Sequence, residues 1–116
     1  MSTLFEQAAL QFGSLLHDLK ADSVVVLDLR SANIWTDFLV IATVTSGKQA
    51  TGLENRIMEA AHALHIEEYR TIRKKSDGEE WKLLDFGNIV IHLMSPAARK
   101  FYDLERLWYD SPRLFG

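Results

Sequence analysis

Two runs of apolar, mostly β-branched residues constrain the fold of this chain more than any other feature. Residues 23–29 read Ser-Val-Val-Val-Leu-Asp-Leu, and residues 38–44 read Phe-Leu-Val-Ile-Ala-Thr-Val. Neither run alternates between apolar and polar residues, as a strand with one solvated face would. We therefore predict two interior strands that other parts of the chain cover on both faces.

Amphipathic patterns predict one helix before this strand pair and one after it. Between residues 4 and 19, apolar residues recur at the spacing of one helix face. They are Phe5, Ala8, Ala9, Phe12, Leu15, Leu16 and Leu19. Ser46 is the predicted N-cap of a second helix of about 18 residues. Its apolar face carries Ala50, Leu53, Ile57, Ala61 and Leu64.

The second half of the chain contains a predicted β-hairpin. Residues 81–86 and 89–94 are strand-like runs, and the pair Gly87-Asn88 separates them. Glycine at the first central position suits a type II′ turn, whose twist matches that of the flanking strands. With this two-residue turn, Leu84 is predicted to lie opposite Ile91.

The remaining segments predict a short strand and a closing helix. Residues 67–73 have the pattern of a short polar strand, followed by an exposed turn at 74–79. The closing helix is predicted to begin at Ser95-Pro96, because serine caps helices and proline fits their first position. It should end before Ser111-Pro112. Its predicted inward-facing residues are Ala97, Phe101, Leu104 and Trp108.

The order of these elements, α-β-β-α-β-β-β-α, predicts an α/β fold. We expect a small two-layer sandwich in which flanking helices pack on a mixed sheet of about five strands. The chain has 116 residues and no internal repeat or linker-like segment. A single domain spanning residues 1–116 is therefore expected.

Composition excludes several classes of protein. The chain contains no cysteine, so it has no disulfides, thiol nucleophiles or zinc–thiolate sites. Its net charge of −3 is unlike that of proteins that coat nucleic acid through bulk positive charge. The longest uncharged apolar run, residues 38–47, is shorter than a membrane span, and the first residues lack the basic start of a secretory signal. We expect a soluble, cytoplasmic protein.

The histidines do not predict a metal site. Glu59 and His62 have the spacing of a helical ligand pair, but a second such motif is missing. His62 and His65 stand near a predicted helix end, where histidines often cap carbonyl groups. His92 lies within a predicted strand, and we expect it to be half-buried and hydrogen-bonded.

Two chemical alternatives remain open from the residues alone. Asp28, Asp37 and Asp85 lie in or beside predicted strands, where carboxylates can hold magnesium for phosphoryl transfer. No two of them are one residue apart, so turn-capping roles are favoured over an enzyme. A basic cluster offers the second alternative, RNA binding by an assembly factor. It consists of Arg70, Arg73, Lys74 and Lys75.

Two aromatic residues of the hairpin are candidate binding anchors. Trp81 stands at its outer end beside charged residues, and Phe86 stands beside the turn, where full burial is difficult. Exposed aromatic side chains at the end of a sheet are frequent anchors for protein partners. Ordinary packing in the core is the alternative.

Two blocks of sequence carry a family resemblance. Residues 81–93 read Trp-Lys-Leu-Leu-Asp-Phe-Gly-Asn-Ile-Val-Ile-His-Leu, and residues 101–108 read Phe-Tyr-Asp-Leu-Glu-Arg-Leu-Trp. Together with residues 26–30 (Val-Leu-Asp-Leu-Arg) and 36–43 (Thr-Asp-Phe-Leu-Val-Ile-Ala-Thr), they resemble the ribosomal silencing factor family, also called iojap-related. The resemblance extends over residues 4–112.

The resemblance implies a translation repressor rather than an enzyme, without metal or cofactor. Members of the family bind the large ribosomal subunit through ribosomal protein L-fourteen, block an intersubunit bridge and prevent association with the small subunit. Organelle relatives act in large-subunit assembly. The implied fold is nucleotidyltransferase-like without the catalytic motif. The implied partners include neither membranes nor specific nucleic acid sequences, and a homodimer is one form that the free protein can take.

The resemblance also implies a partner-binding site at the hairpin. The family's contact surface includes positions that correspond to Trp81 and Phe86, and we expect Asp85, Gly87 and Asn88 to complete the site. The sequence departs from the family pattern at Asn88, where aspartate is common, and at Val44, where glycine is frequent. The first departure removes a negative charge that could strengthen contact with a basic partner.

Overall fold

A computed structural model of the protein describes residues 4–32, 36–68, 70–74 and 81–116, with side chains for 4–32, 36–68 and 82–116. The helices are α1 Leu4–Asp18, α2 Gly47–Ala63, α3 Pro96–Tyr102 and α4 Leu104–Leu107, and a 3-10 turn spans Arg30–Ala32. The strands are β1 Asp22–Asp28, β2 Phe38–Thr43, β3 Arg70–Lys74, β4 Trp81–Asp85, β5 Ile89–Met94 and β6 Arg113–Phe115.

The strands form one mixed sheet in the order β3-β4-β5-β2-β1-β6. The central strands β2 and β5 run parallel, and the other neighbouring strands are antiparallel. Every residue of β2 and β5 is buried, as the apolar run at 38–44 predicts for β2. The predicted α/β fold is confirmed, and the sheet gains a sixth strand, β6.

Helices α1 and α2 cover the first face of the sheet. Every second residue of the central strands, including Val40 and Ile91, points toward these helices. Together with Phe12, Leu16 and Ile57, these residues form the larger core. Helix α1 approaches β1 closely, since a Cβ atom added at Gly13 would lie 2.5 Å from Cγ2 of Val26. The glycine in α1, which costs helical stability by itself, therefore permits close contact with the sheet.

The second face of the sheet has a smaller core, partly covered by α3 and α4. Its buried side chains include Leu39, Ile41 and Met94, and Ala98 of α3 packs on them. Tyr102, Leu104 and Trp108 are half-buried against the same cluster. The two-layer sandwich thus describes the larger part of the molecule, and α3 and α4 add partial cover on the opposite side.

Both predicted helix caps are confirmed. The Ser46 hydroxyl accepts a hydrogen bond from the Gln49 N–H (3.0 Å) and begins α2. The Ser95 hydroxyl accepts one from the Ala98 N–H (3.1 Å), and Pro96 occupies the first turn of α3. These caps depend on neighbouring residues only, which is why the sequence predicts them well.

The prediction of one continuous closing helix is wrong. Asp103 adopts a left-handed conformation (φ 46°) that ends α3, and the four-residue α4 follows. Ala98 and Tyr102, four residues apart, face the sheet. Ala97 and Phe101 lie on the other side of α3, and Phe101 is 72% exposed rather than inward-facing.

Strand β6 was not predicted from the sequence. The helical region ends before Ser111-Pro112 as expected, but the chain then pairs antiparallel with β1, placing Phe115 opposite Val26. The Asp28 N–H donates to the Pro112 carbonyl (2.9 Å) where the pairing begins. Within the described residues, none of the helices has the length and apolarity needed to cross a membrane.

Candidate partner-binding site

The β4–β5 hairpin has the predicted register. Leu84 lies opposite Ile91, and the Phe86 N–H donates to the Ile89 carbonyl (2.9 Å). Gly87 has the expected positive φ of 86°. The turn closes through an Asn88 N–H to Phe86 carbonyl bond (3.1 Å), which is the i→i+2 bond of a γ-turn rather than a type II′ turn.

Asp85 stabilises the hairpin turn with its buried carboxyl group. Its carboxyl group is buried, at 2% exposure, and Oδ1 accepts a hydrogen bond from the Gly87 N–H (2.8 Å). An aspartate that bonds the backbone two residues ahead stabilises a turn locally. Asp85 therefore shapes the predicted site and offers a partner little surface.

Asn88 fastens the turn to the start of β2. Its carbonyl accepts hydrogen bonds from the N–H groups of Asp37 (3.1 Å) and Phe38 (3.0 Å). Its side-chain amide donates to Oδ2 of Asp37 (2.9 Å). An aspartate at position 88 would place a second carboxylate against Asp37. Asparagine supplies a hydrogen-bond donor to Asp37 instead.

Phe86 is a core residue, so of the two alternatives that the sequence left open, exposed anchor or core packing, the structure supports core packing. It is 5% exposed, and its ring stacks on Phe12 of α1 with centroids 5.7 Å apart and 18° between the planes. Residues 84 and 86 point to the same face of the sheet, so Phe86 faces α1 and packs against Phe12. The sequence places Phe86 beside the turn but does not show what lies across from it.

Trp81 is placed through its backbone only. It opens β4 and pairs with Met94 of β5 and Lys74 of β3. The Trp81 side chain lies outside the described part of the structure, as do those of Arg70, Arg73 and Lys74 and the whole of Lys75. The predicted anchor and the predicted basic cluster therefore stay predictions.

A groove of about 400 Å³ adjoins the hairpin turn, and the sequence analysis did not predict it. Its lining comes from the end of α2, the segment that follows and the hairpin. The lining residues are Met58, Ala61, His62, His65, Ile66, Glu67, Glu68 and Phe86. The groove was missed because it joins segments that are distant in sequence.

A left-handed cap at the end of α2 shapes one side of this groove. The His65 N–H donates to the His62 carbonyl (3.1 Å), and the Ile66 N–H donates to the Ala61 carbonyl (2.9 Å). His65 has φ 58°, in the position where glycine usually ends such a helix. This reversal buries Ile66 in the core and directs Glu67 and Glu68 to the exposed side.

The three strand-associated aspartates have separate structural partners. Asp28 accepts hydrogen bonds from the Arg30 side chain (2.7 and 3.0 Å), which lower the pKa of the Asp28 carboxyl below its usual range. Asp37 binds Asn88, and Asp85 binds the Gly87 backbone. Among the described residues, no group of three or more histidines, aspartates or glutamates is placed to hold a metal ion.

Large apolar side chains are exposed on, and directly after, the helices that cover the second face. Phe101 is 72% exposed, Leu107 64% and Tyr109 84%. Phe101 also meets Tyr102 edge-to-face, with ring centroids 5.1 Å apart. Among the described side chains, the exposed aromatic surface therefore lies here and not at Phe86, one of its two predicted positions.

Comparisons with known proteins agree with this architecture. The sequence matches the family described as "Ribosomal silencing factor during starvation" over residues 3–114. It is 39% identical over 103 residues to the ribosomal silencing factor RsfS of Treponema pallidum, covering 89% of this chain and 91% of the relative. It is 34% identical over 110 residues to the chloroplastic protein Iojap of Arabidopsis thaliana, covering 91% of this chain and 43% of that protein.

A solved structure shares the fold. The crystal structure of a Chromobacterium violaceum protein superposes with a TM-score of 0.76 and 28% identity, covering 88% of this chain and 84% of that one. A sequence match over nearly the whole chain and a shared fold lead to one conclusion. This chain belongs to the ribosomal silencing factor family.

Proposed function

We propose that this protein binds the large ribosomal subunit and represses translation by blocking its association with the small subunit. The observation that carries the proposal is the match to the silencing factor family over residues 3–114. The proposed contact on the large subunit is ribosomal protein L-fourteen, at the surface of an intersubunit bridge. We further propose that the protein acts in the cytoplasm and is not an enzyme.

The hairpin gives this proposal a physical form. Asp85 and Asn88 hold the turn through hydrogen bonds to the Gly87 backbone and to the start of β2, so its shape is fixed before a partner arrives. A preorganised surface loses less conformational entropy on binding than a mobile loop. Gly87 and Asn88 would touch the partner directly, Asp85 and Phe86 would support them, and Trp81 is the proposed aromatic anchor.

The proposed mechanism is steric competition. A stable complex of this kind buries about 1,200–2,000 Å² in total, which a domain of this size can supply. No covalent step is required, so occupancy depends on affinity and concentration. The net charge of −3 favours approach to a basic ribosomal protein over random contact with RNA.

A subunit-joining assay tests the proposal. Purified large subunits are incubated with the protein, small subunits are added, and joined ribosomes are measured by sedimentation. We expect the yield of joined ribosomes to fall as the protein approaches saturation. Joining at an undiminished yield with the protein bound would contradict the blocking mechanism.

Trp81→Ala tests the anchor. The change should weaken binding to large subunits by about 2 kcal/mol or more, which is about thirtyfold, as for other aromatic hot spots. Asn55→Ala, at an exposed position of α2, is the matched control and should bind like the wild type. Phe86→Ala is unsuitable, because losing a core ring mixes folding with binding. Equal affinities of Trp81→Ala and the control would remove Trp81 from the site.

Large-subunit assembly is the second candidate function. One relative, 33% identical over 97 residues, is named "Mitochondrial assembly of ribosomal large subunit protein 1" in Mus musculus, and this chain covers 42% of it. An assembly factor would bind immature large subunits in preference to mature ones. Comparing affinities for the two particles separates the candidates.

A further inference from the structure

The groove beside the hairpin turn combines an apolar floor with a polar rim that carries His62, His65, Glu67 and Glu68. We propose that this groove receives a lysine or arginine side chain from the protein partner on the large subunit. The inference rests on the proposed function, since it names how the partner enters the site. A groove of about 400 Å³ lies within the range of volumes that hold small ligands or single long side chains.

The floor of the groove suits an aliphatic stem. Met58, Ala61 and Ile66 of α2 and its cap lie on one side, and Phe86 of the hairpin lies on the other. Ala61, Ile66 and Phe86 are buried members of the first-face core, so the floor is rigid. Lysine and arginine bury their methylene stems on apolar surface while their charged ends stay near water.

Two carboxylates lie on the rim of the groove. Glu67 and Glu68 are exposed, and neither makes a hydrogen bond or ion pair within the described part of the chain. In contrast, Glu54 pairs with Lys82 and Glu105 pairs with Arg99, each at 2.9 Å. Two carboxylates that have no partner among the described side chains, beside an apolar floor, match a cation on a long stem.

A second groove of about 510 Å³ is less suited to a charged partner. It lies around Arg99, whose guanidinium already donates to the Ser23 carbonyl (2.6 Å), to the Thr43 hydroxyl (2.9 Å) and to Glu105 (2.9 Å). Glu105 also pairs with Arg113 (3.3 Å). These charges hold α3, α4 and the strands together, whereas Glu67 and Glu68 of the first groove make no such contact with other described residues.

The first groove is continuous with the proposed contact surface. Phe86 forms one side of the groove floor and is followed directly by Gly87 and Asn88 of the turn. A partner that contacts the turn therefore lies next to the groove opening. This arrangement also gives buried Phe86 a role in binding, as the part of the floor that an entering side chain touches.

The double variant Glu67→Gln with Glu68→Gln tests the inference. Its affinity for purified large subunits should fall about five- to tenfold at low salt, and the difference should shrink at high salt because exposed charges are screened. Lysine at both positions should weaken binding further through like-charge repulsion. Glu59→Gln is the matched control, since Glu59 is an exposed carboxylate of α2 outside the groove. Circular dichroism checks that each variant is folded.

The outcomes separate this inference from the proposed function. If the wild type binds and the glutamine variant matches Glu59→Gln at both salt concentrations, the groove does not hold a cation and the proposed function stands. If removing the two charges strengthens binding, the groove faces RNA phosphates and the inference is wrong. If the wild type does not bind large subunits at all, both are wrong.

Discussion

The two faces of the sheet are covered in different ways. On the first face, the long helices α1 and α2 bury a continuous apolar core that includes Phe12, Ile57 and Phe86. On the second face, the short helices α3 and α4 cover a smaller core and keep Phe101 and Tyr109 exposed. The first face is therefore covered by a continuous apolar core, and the second face is covered only in part.

Polar contacts reinforce this difference. On the first face, Lys82 reaches across to Glu54 (2.9 Å) and Thr51 (3.1 Å) of α2, adding to extensive apolar packing. On the second face, the hydrogen bonds of Arg99 are a major link between α3 and the sheet. Long amphipathic helices can rely on burial, whereas short helices need specific polar contacts in addition. We infer that the first face supplies most of the stability.

Replacing a core ring on each face gives the largest expected effect. Phe12→Ala should cost about 3–5 kcal/mol of unfolding free energy, because Phe12 is fully buried and stacks on Phe86. Trp108→Ala, on the half-buried second face, should cost clearly less despite its larger ring. Denaturant unfolding measures both. Equal losses would contradict the difference between the faces.

The pH dependence of stability probes the second face. His92 shares the parity of Val90 and Met94, and burial lowers the pKa of its imidazole from 6.5 to about 4. Below pH 6.5 the unfolded chain binds a proton that the folded protein excludes, so stability falls as the pH falls. The slope is about 1.4 kcal/mol per pH unit, or about 3 kcal/mol between pH 6.5 and 4.

His92→Leu removes this titration. Unfolding free energies of the variant, measured from pH 7 to pH 4, should fall less steeply than those of the wild type. Carboxylates contribute equally in both proteins, so the difference between the two curves isolates His92. Parallel curves would show that His92 takes up its proton equally in the folded and unfolded states.

Gly13→Ala tests how closely α1 packs on the first face. Alanine stabilises an isolated helix by about 1 kcal/mol relative to glycine. At position 13, however, its Cβ would lie 2.5 Å from Cγ2 of buried Val26, and overpacking costs about 1–3 kcal/mol. We expect net destabilisation of about 1 kcal/mol in thermal or denaturant unfolding.

Gly52→Ala is the matched substitution and the smallest expected effect. Gly52 lies within α2, and a Cβ atom there would meet nothing within 4 Å. The change should therefore stabilise the protein by about 0.5–1 kcal/mol. The two glycine substitutions should have opposite signs. A stabilising Gly13→Ala would mean that α1 can move away from β1 at little cost.

The sequence predicted the parts of this fold that depend on near neighbours. Residues close in the sequence determine the Ser46 and Ser95 caps, the positive φ at Gly87 and the register of Leu84 with Ile91. The apolar run at 38–44 predicted a strand buried on both faces because its residues do not alternate between apolar and polar. The hydrogen bonds of helix caps and tight turns, like side-chain periods, involve residues close in the sequence, so local sequence determines them.

Only the tertiary structure decided which residues are covered. Phe86 is buried because α1, far away in the sequence, places Phe12 against it, and Phe101 is exposed because α3 packs through Ala98 and Tyr102. Strand β6 exists because β1 offers it an edge, and the groove exists because the end of α2 meets the hairpin. Whether a side chain is buried depends on its own element and on the element that packs against it. The sequence around one residue specifies only the first of these.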